Sequence, residues 1–432
     1  MSDFRSLLSS FQDATGTTTS RKQASSSSTT KSQSSISTTI ENETQAACQK
    51  DIEKLWRTTQ IQNSFQRNNN NNNSTNHDTS GNSDIDKKPL HIAICATIVD
   101  QFPHEEIWKK WLLEQDDDNN TATTNGPINT NNNTNHNNSN ITASIHIHAK
   151  NPNKIRNHKS WLKSKVIPIS HNPNWNDYRI IKAMLSLVEY AIRYEPQTTH
   201  FMMVTESCIP VCTLVELGNV IRQEQQDFSG SRSFLDMYGV DSTRCTRFDE
   251  HACFSINAIP KDAIYKALPG WALFSRSHMD EVLHIRDRLN GKELYPLFKS
   301  VWAPEEVYFS TALVLLGKYN QIVKRSLMWS KWDERARNSK DRAHPIVYDG
   351  QFTKSLIDDV KAQGCLFMRK WKRELDVQQW ERMIVIQNNT SSGSGNDRKD
   401  NKRKENGDTS CMDDEKVLMK RQKLETESSI TM

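Results

Sequence analysis

"HFMMVTESCIP", His200 to Pro210, is the stretch on which the fold turns. It is a continuous apolar run that stops abruptly at polar residues and is then broken by a proline. A run of this length between turn signals fits a strand buried on both faces, as in a parallel sheet covered by helices. Its carboxyl end presents Glu206, Ser207 and Cys208. Ligands of open α/β sheets lie outside the carboxyl ends of the strands. A carboxylate and a hydroxyl at that point are placed to hydrogen-bond a sugar or a ribose. A polar turn beside a core cysteine fits the same residues equally well.

Strands and helices alternate around this run. "HIAICATIV" (His91–Val99) is a second buried strand, followed by a helix in "PHEEIWKKWLLEQ" with Ile107, Trp111 and Leu112 on one face. "ASIHIHA" (Ala143–Ala149) alternates as a strand, and "KVIPIS" (Lys165–Ser170) reads as another. In "WNDYRIIKAMLSLVEYAIRY", Tyr178, Ile181, Leu185, Val188 and Ile192 recur at helical spacing, with Asn176 or Asp177 available as N-cap. "WALFSR" (Trp271–Arg276) is a further strand, leading into a helix capped by Ser277. This alternation predicts an α/β sheet with much parallel pairing.

Composition trims the rest of the 432 residues. Residues 1–88 are rich in Ser, Thr, Gln and Asn, with an unbroken asparagine run from Asn68 to Asn73. Such a segment has too few large apolar side chains to offset the entropy of ordering, which predicts disorder. The same holds for an insert at 116–140 and for a charged tail at 387–432. One large domain remains at 89–386, about 270 residues without the insert. A net charge of +4 creates no strong field for nucleic acid, and none is expected as a partner. The basic clusters "NKRK" (Asn401–Lys404) and "KRQK" (Lys420–Lys423) alternate with acidic residues and read as a solvated tail. None of the eight cysteines forms a CxxC pair or fits a zinc spacing with histidine. No run of about 18 apolar residues and no signal peptide is visible.

Three further stretches carry candidate chemistry. "VWAPEEVYFST" (Val301–Thr311) sets a proline and two glutamates at the mouth of an amphipathic helix, where a carboxylate either starts the helix or takes a proton. "FMRKWKREL" groups Arg369, Lys370, Lys372 and Arg373 around Phe367 and Trp371, either a clamp for a diphosphate or a solvated face. "MWSKW" (Met328–Trp332) offers two indoles for stacking on a sugar or for the core. P-loop, GxGxxG, GxSxG and HExxH patterns do not occur. "DID" (Asp84–Asp86) and "DDD" (Asp116–Asp118) match a metal-binding D-x-D pattern but lie in low-complexity sequence.

Taken in order, "WNDYRIIKAMLSLVEYAI", "FMMVTESCIPV", "SFLDMYG", "GWALFSR", "WAPEEVYFSTAL", "LMWSKW", "AHP" and "LFMRKW" resemble the core-2/I-branching glycosyltransferases, most closely their plant-type branch. The resemblance covers about residues 90–375. It implies a GT-A fold: a Rossmann-like nucleotide-sugar-binding domain with a mixed, mostly parallel sheet and helices on both faces. It also implies inverting transfer from a UDP-sugar, chiefly UDP-N-acetylglucosamine, to a glycan or glycoprotein hydroxyl, with no cofactor and no bound metal. By the same resemblance Glu306 is the base and Glu305 its acidic neighbour at the helix macrodipole. Lys370, helped by Arg369, contacts the diphosphate; Glu206 and Ser207 belong to the donor side, Trp329 and Asp236 to the acceptor side. The family implies a Golgi location and an N-terminal membrane anchor, which this sequence does not display. Cys208 stands where animal members have an aspartate, so Glu206 would take over its polar contact. Animal members also carry an arginine, upstream of the lysine that Lys370 matches, that helps hold the diphosphate. Between Pro345 and Phe367 this chain has only Lys354 and Lys361, which keeps open a catalytically idle protein that binds glycan or nucleotide sugar.

Overall fold

The computed structural model describes residues 46–64, 88–113, 140–156, 160–226, 230–240, 256–268, 270–332, 345–371 and 375–386. In chain order the strands are β1 (Leu90–Ile98), β2 (Ile141–Ala149), β3 (His200–Thr205), β4 (Ile209–Pro210), β5 (Ser233–Phe234) and β6 (Met237–Gly239). They continue as β7 (Tyr265–Ala267), β8 (Leu273–Ser275), β9 (Ile322–Val323), β10 (Met328–Ser330) and β11 (Phe367–Arg369). Every residue of β1 and β3 is buried, as their uninterrupted apolar sequence requires.

The main sheet has the order β2-β1-β3-β8-β5-β9. β1 is parallel to both β2 and β3, with Ile94 opposite Ile145 and Met202. β5 and β9 are also parallel, so the expected mixed, largely parallel sheet is present. The strand in "WALFSR" supplies the antiparallel part of the mixed sheet: β8 runs antiparallel to β3 and to β5. "KVIPIS" makes only an isolated bridge, Val166 to Ile147, because Pro168 has no N–H to extend the ladder. A second sheet, β10-β11-β4, stands at the carboxyl end of β3.

Helices cover both faces of the main sheet. The longer helices among the described residues are α1 (46–64), α2 (Glu105–Leu113), α3 (Arg179–Tyr194), α4 (Leu214–Gln226), α5 (Arg276–Leu283), α6 (Pro304–Leu315) and α7 (Lys354–Ala362). α3 packs on the face of β1 and β2 that carries His91, Ser144 and His146. There the Glu195 carboxylate just beyond α3 lies 3.0 Å from Nε2 of each imidazole and accepts from Ser144 Oγ as well. Burial pushes the Glu195 carboxyl up, but these hydrogen bonds outweigh it and hold the group below the usual carboxylate range. α4 packs on the opposite face through Gly218, where a Cβ would stand 2.0 Å from Ile141 Cδ1. α5 begins at Arg276, not after Ser277: β8 runs straight into it, with the extended Ser275 at the cap position. α6 is not amphipathic, since Val307 to Leu315 are all buried. All five cysteines that are free among the described residues, Cys48, Cys95, Cys208, Cys212 and Cys365, are buried.

Residues 46–64, which composition assigns to the disordered segment 1–88, form helix α1 instead. Cys48, Ile52, Leu55 and Thr59 recur at helical spacing and are buried on the domain. The Trp56 indole donates to the Asp262 carboxylate at 3.2 Å, and Asn290 Nδ2 donates to Asp51 at 2.7 Å. Thr59 Oγ1 donates to the carbonyl of Leu315 at 2.7 Å, satisfying one of the orphan acceptors at the end of α6. The rest of the predicted disordered segments, both D-x-D stretches, His344, Lys372 and Arg373 lie outside the described residues. Truncating Ile52, which is fully buried, leaves a cavity under α1. Ile52→Ala is expected to lower unfolding free energy by about 2–5 kcal/mol in urea titrations. An effect near zero would show that α1 adds nothing to the domain.

Candidate active site

The carboxyl end of β3 is the floor of the site. Cys208 is fully buried: its sulfur accepts the Thr205 N–H at 3.3 Å, and its carbonyl accepts the Trp108 indole at 3.0 Å. It is a core residue, and the turn it anchors leaves Glu206 and Ser207 half-buried at the strand's mouth. β11 reaches this mouth through its antiparallel pairing with β4. The Trp371 N–H then donates to the Ser207 carbonyl at 2.9 Å, fixing the chain just past Arg369 and Lys370. Burial raises the Glu206 carboxyl, and the nearby charges of Arg369 and Lys370 oppose that shift. Burial and the adjacent Arg369 lower the Lys370 ammonium. Arg369 lies 5.3 Å from the centre of the Trp271 ring, a cation–π contact that orients the guanidinium.

The amino end of α6 supplies the opposing wall. Pro304 is the first helical residue, where its missing N–H costs nothing. Ala303 before it is left-handed at φ 45°, a conformation that costs a non-glycine residue about 1–2 kcal/mol. Its N–H donates to Asn176 Oδ1 at 2.5 Å, and its carbonyl accepts from Glu306 N at 2.9 Å. Asn176 is therefore a brace for α6 rather than a cap for α3; Asp177 closes on Arg179 instead, accepting its N–H at 2.9 Å.

Glu306 is not a solitary carboxylate. Lys266 on β7 lies 3.1 Å from its Oε2. Behind it, Gly270 permits close approach: a Cβ there would stand 3.0 Å from both Cα and Cγ of Glu306. Glu305, expected to serve the macrodipole as a carboxylate, has a different character. Burial, then the charge of Glu306, raise its carboxyl from the ordinary 4.5 to about 7, with Arg369 and Lys266 opposing. Near neutrality it holds a proton for much of the time. Its Oε2 is enclosed and has no hydrogen-bond partner, and the same is true of Arg369 Nε, Ser330 Oγ and Trp371 Nε1. Ser330 is the register partner of Arg369, and the charge of Arg369 acts on Glu305, which places these three residues in one region. Buried polar groups are normally paired, and such a cluster at the end of a sheet marks a place built to meet a polar ligand.

The structure thus brings together Glu306, Glu305, Arg369, Lys370, Glu206 and Ser207. Trp329 sits one register step from Arg369, half-buried and edge-on to Tyr348 at 6.2 Å. Asp236 follows β5, with its carbonyl accepting from Leu268 N at 3.0 Å and its carboxylate acting on the buried thiol of Cys365. Lys266, Gly270 and Trp271 are not marked as site residues by the sequence: Trp271 falls in a segment that reads only as a strand, and Lys266 and Gly270 lie in no motif of known chemistry. Among the described residues no group of three His, Cys, Asp or Glu side chains is placed to hold a metal ion.

A mixed, largely parallel sheet with helices on both faces is consistent with a GT-A-like glycosyltransferase domain. Residues 140–360 match the family model of the Core-2/I-Branching enzyme, and the chain belongs to that family. It is also similar to Glycosyltransferase BC10 of Oryza sativa subsp. japonica, with 22% identity over 211 residues, which is 44% of this chain and 50% of that protein. The chain therefore spans about half the length of the curated relative it matches.

Two substitutions probe this geometry. Between pH 4.5 and about 7 the unfolded chain releases the Glu305 proton while the folded protein keeps it, so Glu305 makes stability fall as pH rises through that window. Glu305→Gln is expected to melt at a higher temperature than the wild type at pH 8, with the advantage shrinking at pH 5. Equal differences at both values would rule out the raised carboxyl. Gly270→Ala pushes Glu306 by a few tenths of an ångström. Turnover should fall about tenfold or more while the melting temperature changes little.

Proposed function

We propose that this protein is an inverting glycosyltransferase that moves a sugar from a UDP-sugar to a glycan or glycoprotein hydroxyl without a bound metal. N-acetylglucosamine is the first candidate among the sugars, with xylose and glucuronic acid next. What supports transfer is family membership together with one juxtaposition: the Glu305–Glu306 pair stands within electrostatic reach of Arg369 at the carboxyl end of the central strand.

In this mechanism the acceptor hydroxyl attacks the anomeric carbon of the donor. The bond from that carbon to the phosphate oxygen breaks, and UDP leaves with the electron pair. Glu306 takes the hydroxyl proton as the new bond forms, when the hydroxyl has become acidic. Lys266 steers the Glu306 carboxylate through their ion pair. Arg369 and Lys370 oppose the charge that builds on the diphosphate, in a half-buried setting where such charges act strongly. Glu206 and Ser207 reach the donor's ribose or sugar hydroxyls, while Trp329 and Asp236 serve the acceptor side. We place the reaction in the Golgi, following the family. No helix among the described residues is long and apolar enough to cross a membrane.

The decisive test is UDP release from a panel of UDP-sugars with glycan acceptors. Glu306→Gln is expected to lower release about 10²-fold or more while UDP-sugar binding persists. Arg369→Ala and Lys370→Ala should weaken both binding and turnover, and EDTA should change neither. Binding without release in the wild type would instead identify an idle nucleotide-sugar or glycan binder. An absolute need for manganese would overturn the role given to the two cations.

A further inference from the structure

Two large indoles stand exposed near the amino end of α6. Trp175 is 70% and Trp302 48% exposed, yet their rings lie 6.2 Å apart at 59°. They belong to different segments of the chain, 127 residues apart, and the backbone holds them side by side. The N–H of Ala303, next to Trp302, donates to Oδ1 of Asn176, next to Trp175. Both of these neighbours are left-handed, Ala303 at φ 45° and Asn176 at φ 61°, as is Asn172 at φ 45°. Backbone strain of this kind persists where the surrounding structure enforces it, and here it keeps two hydrophobic rings in solvent. Burying those rings would have been the more stable use of them.

We infer that Trp175 and Trp302 form an outer acceptor subsite, in which a pyranose ring of the acceptor glycan stacks on the indole pair. This rests on the transferase reading above. The position of the pair carries the choice of occupant. Trp302 is four residues from Glu306, a contour of about 15 Å at most, and Glu306 N donates to the Ala303 carbonyl at 2.9 Å. The pair therefore lies within reach of the outer sugar units of a glycan whose hydroxyl meets Glu306. The shape agrees: the two indoles, tilted at 59° and touching, present an exposed aromatic ledge on which a sugar ring can lie. A pyranose with equatorial hydroxyls presents a face of polarised C–H groups, which the electron-rich indole face attracts. Its hydroxyl edge needs polar groups beside the rings. Lys150, whose Nζ donates to Asn174 at 2.8 Å, and the Asp177–Arg179 pair supply them. The half-buried Trp329, packed against Tyr348, is then an inner contact, and the exposed pair lengthens the acceptor site outward.

The test titrates the full-length protein and its variants with chito- and galacto-oligosaccharides of one to four rings, measuring binding by isothermal titration calorimetry and, in the wild type, following tryptophan emission. It then measures acceptor KM and kcat. In the wild type, longer oligosaccharides are expected to shift emission. The double variant Trp175→Ala/Trp302→Ala should bind them about tenfold more weakly and raise acceptor KM by a similar factor, far more than it lowers kcat. Trp175→Phe/Trp302→Phe should recover most of the loss, because it restores an aromatic face. Both positions are exposed, so unchanged melting temperatures check the fold. Binding and KM within twofold of wild type in the alanine variant overturn the subsite and leave the transferase reading standing. Binding that depends on the pair, in a protein with no transfer, overturns that reading and supports the subsite. Glu306-dependent transfer with no emission shift from any oligosaccharide also overturns the subsite.

Discussion

One backbone hydrogen bond, from Trp371 to the carbonyl of Ser207, joins the two halves of the site. Without it, the strand ending at Thr205 offers a carboxylate and a hydroxyl, and the strand ending at Arg369 offers two cations, with nothing to align them. The bond extends the antiparallel pairing of Phe367 and Met368 with Pro210 and Ile209, so that the turn at Glu206 and the cations share one mouth. The alignment also depends on Cys208 being apolar enough to bury completely. Its sulfur accepts from Thr205, its carbonyl accepts from Trp108, and the polar residues beside it are turned outward.

Against this mouth the amino end of α6 is held by strain and by space. The left-handed Ala303, braced by Asn176, aims the helix, and Gly270 lets Glu306 come within contact of a neighbouring backbone. The resulting charges are unequal by design of their surroundings. Glu306 has Lys266 at its side, whereas Glu305 is enclosed and retains a proton near neutrality. Two adjacent residues of the same type thus meet different surroundings: one is ion-paired, and the other is desolvated beside a like charge, which raises its carboxyl.

Support for α6 comes from outside the sheet. Its far end, buried among core side chains, is met by Thr59 of α1, so a segment embedded in low-complexity sequence contributes to the helix that carries both glutamates. Composition averaged over residues 1–88 hides this helix, because its few apolar residues are diluted by serine, threonine and asparagine. The spacing of Cys48, Ile52 and Leu55 was the available signal.

Much of this protein was readable without coordinates. The buried strands at His91 and His200, the long helix ending at Tyr194, Pro304 as a helix start and the membership of an ordered set of motifs all follow from local pattern, since apolar periodicity and turn residues act over a few positions. The direction of β8, the isolated bridge at Val166 and the all-round burial of α6 did not, because each depends on what packs opposite. The same division runs through the site. Residue type marked Glu206, Glu306, Arg369 and Lys370 as chemically able, but only the folded chain decided that Lys266 pairs with Glu306, that Glu305 is the proton-holding neighbour and that Trp175 stands beside Trp302. Proton affinity and juxtaposition are set by burial and by charges brought from distant parts of the chain, and no local pattern encodes them.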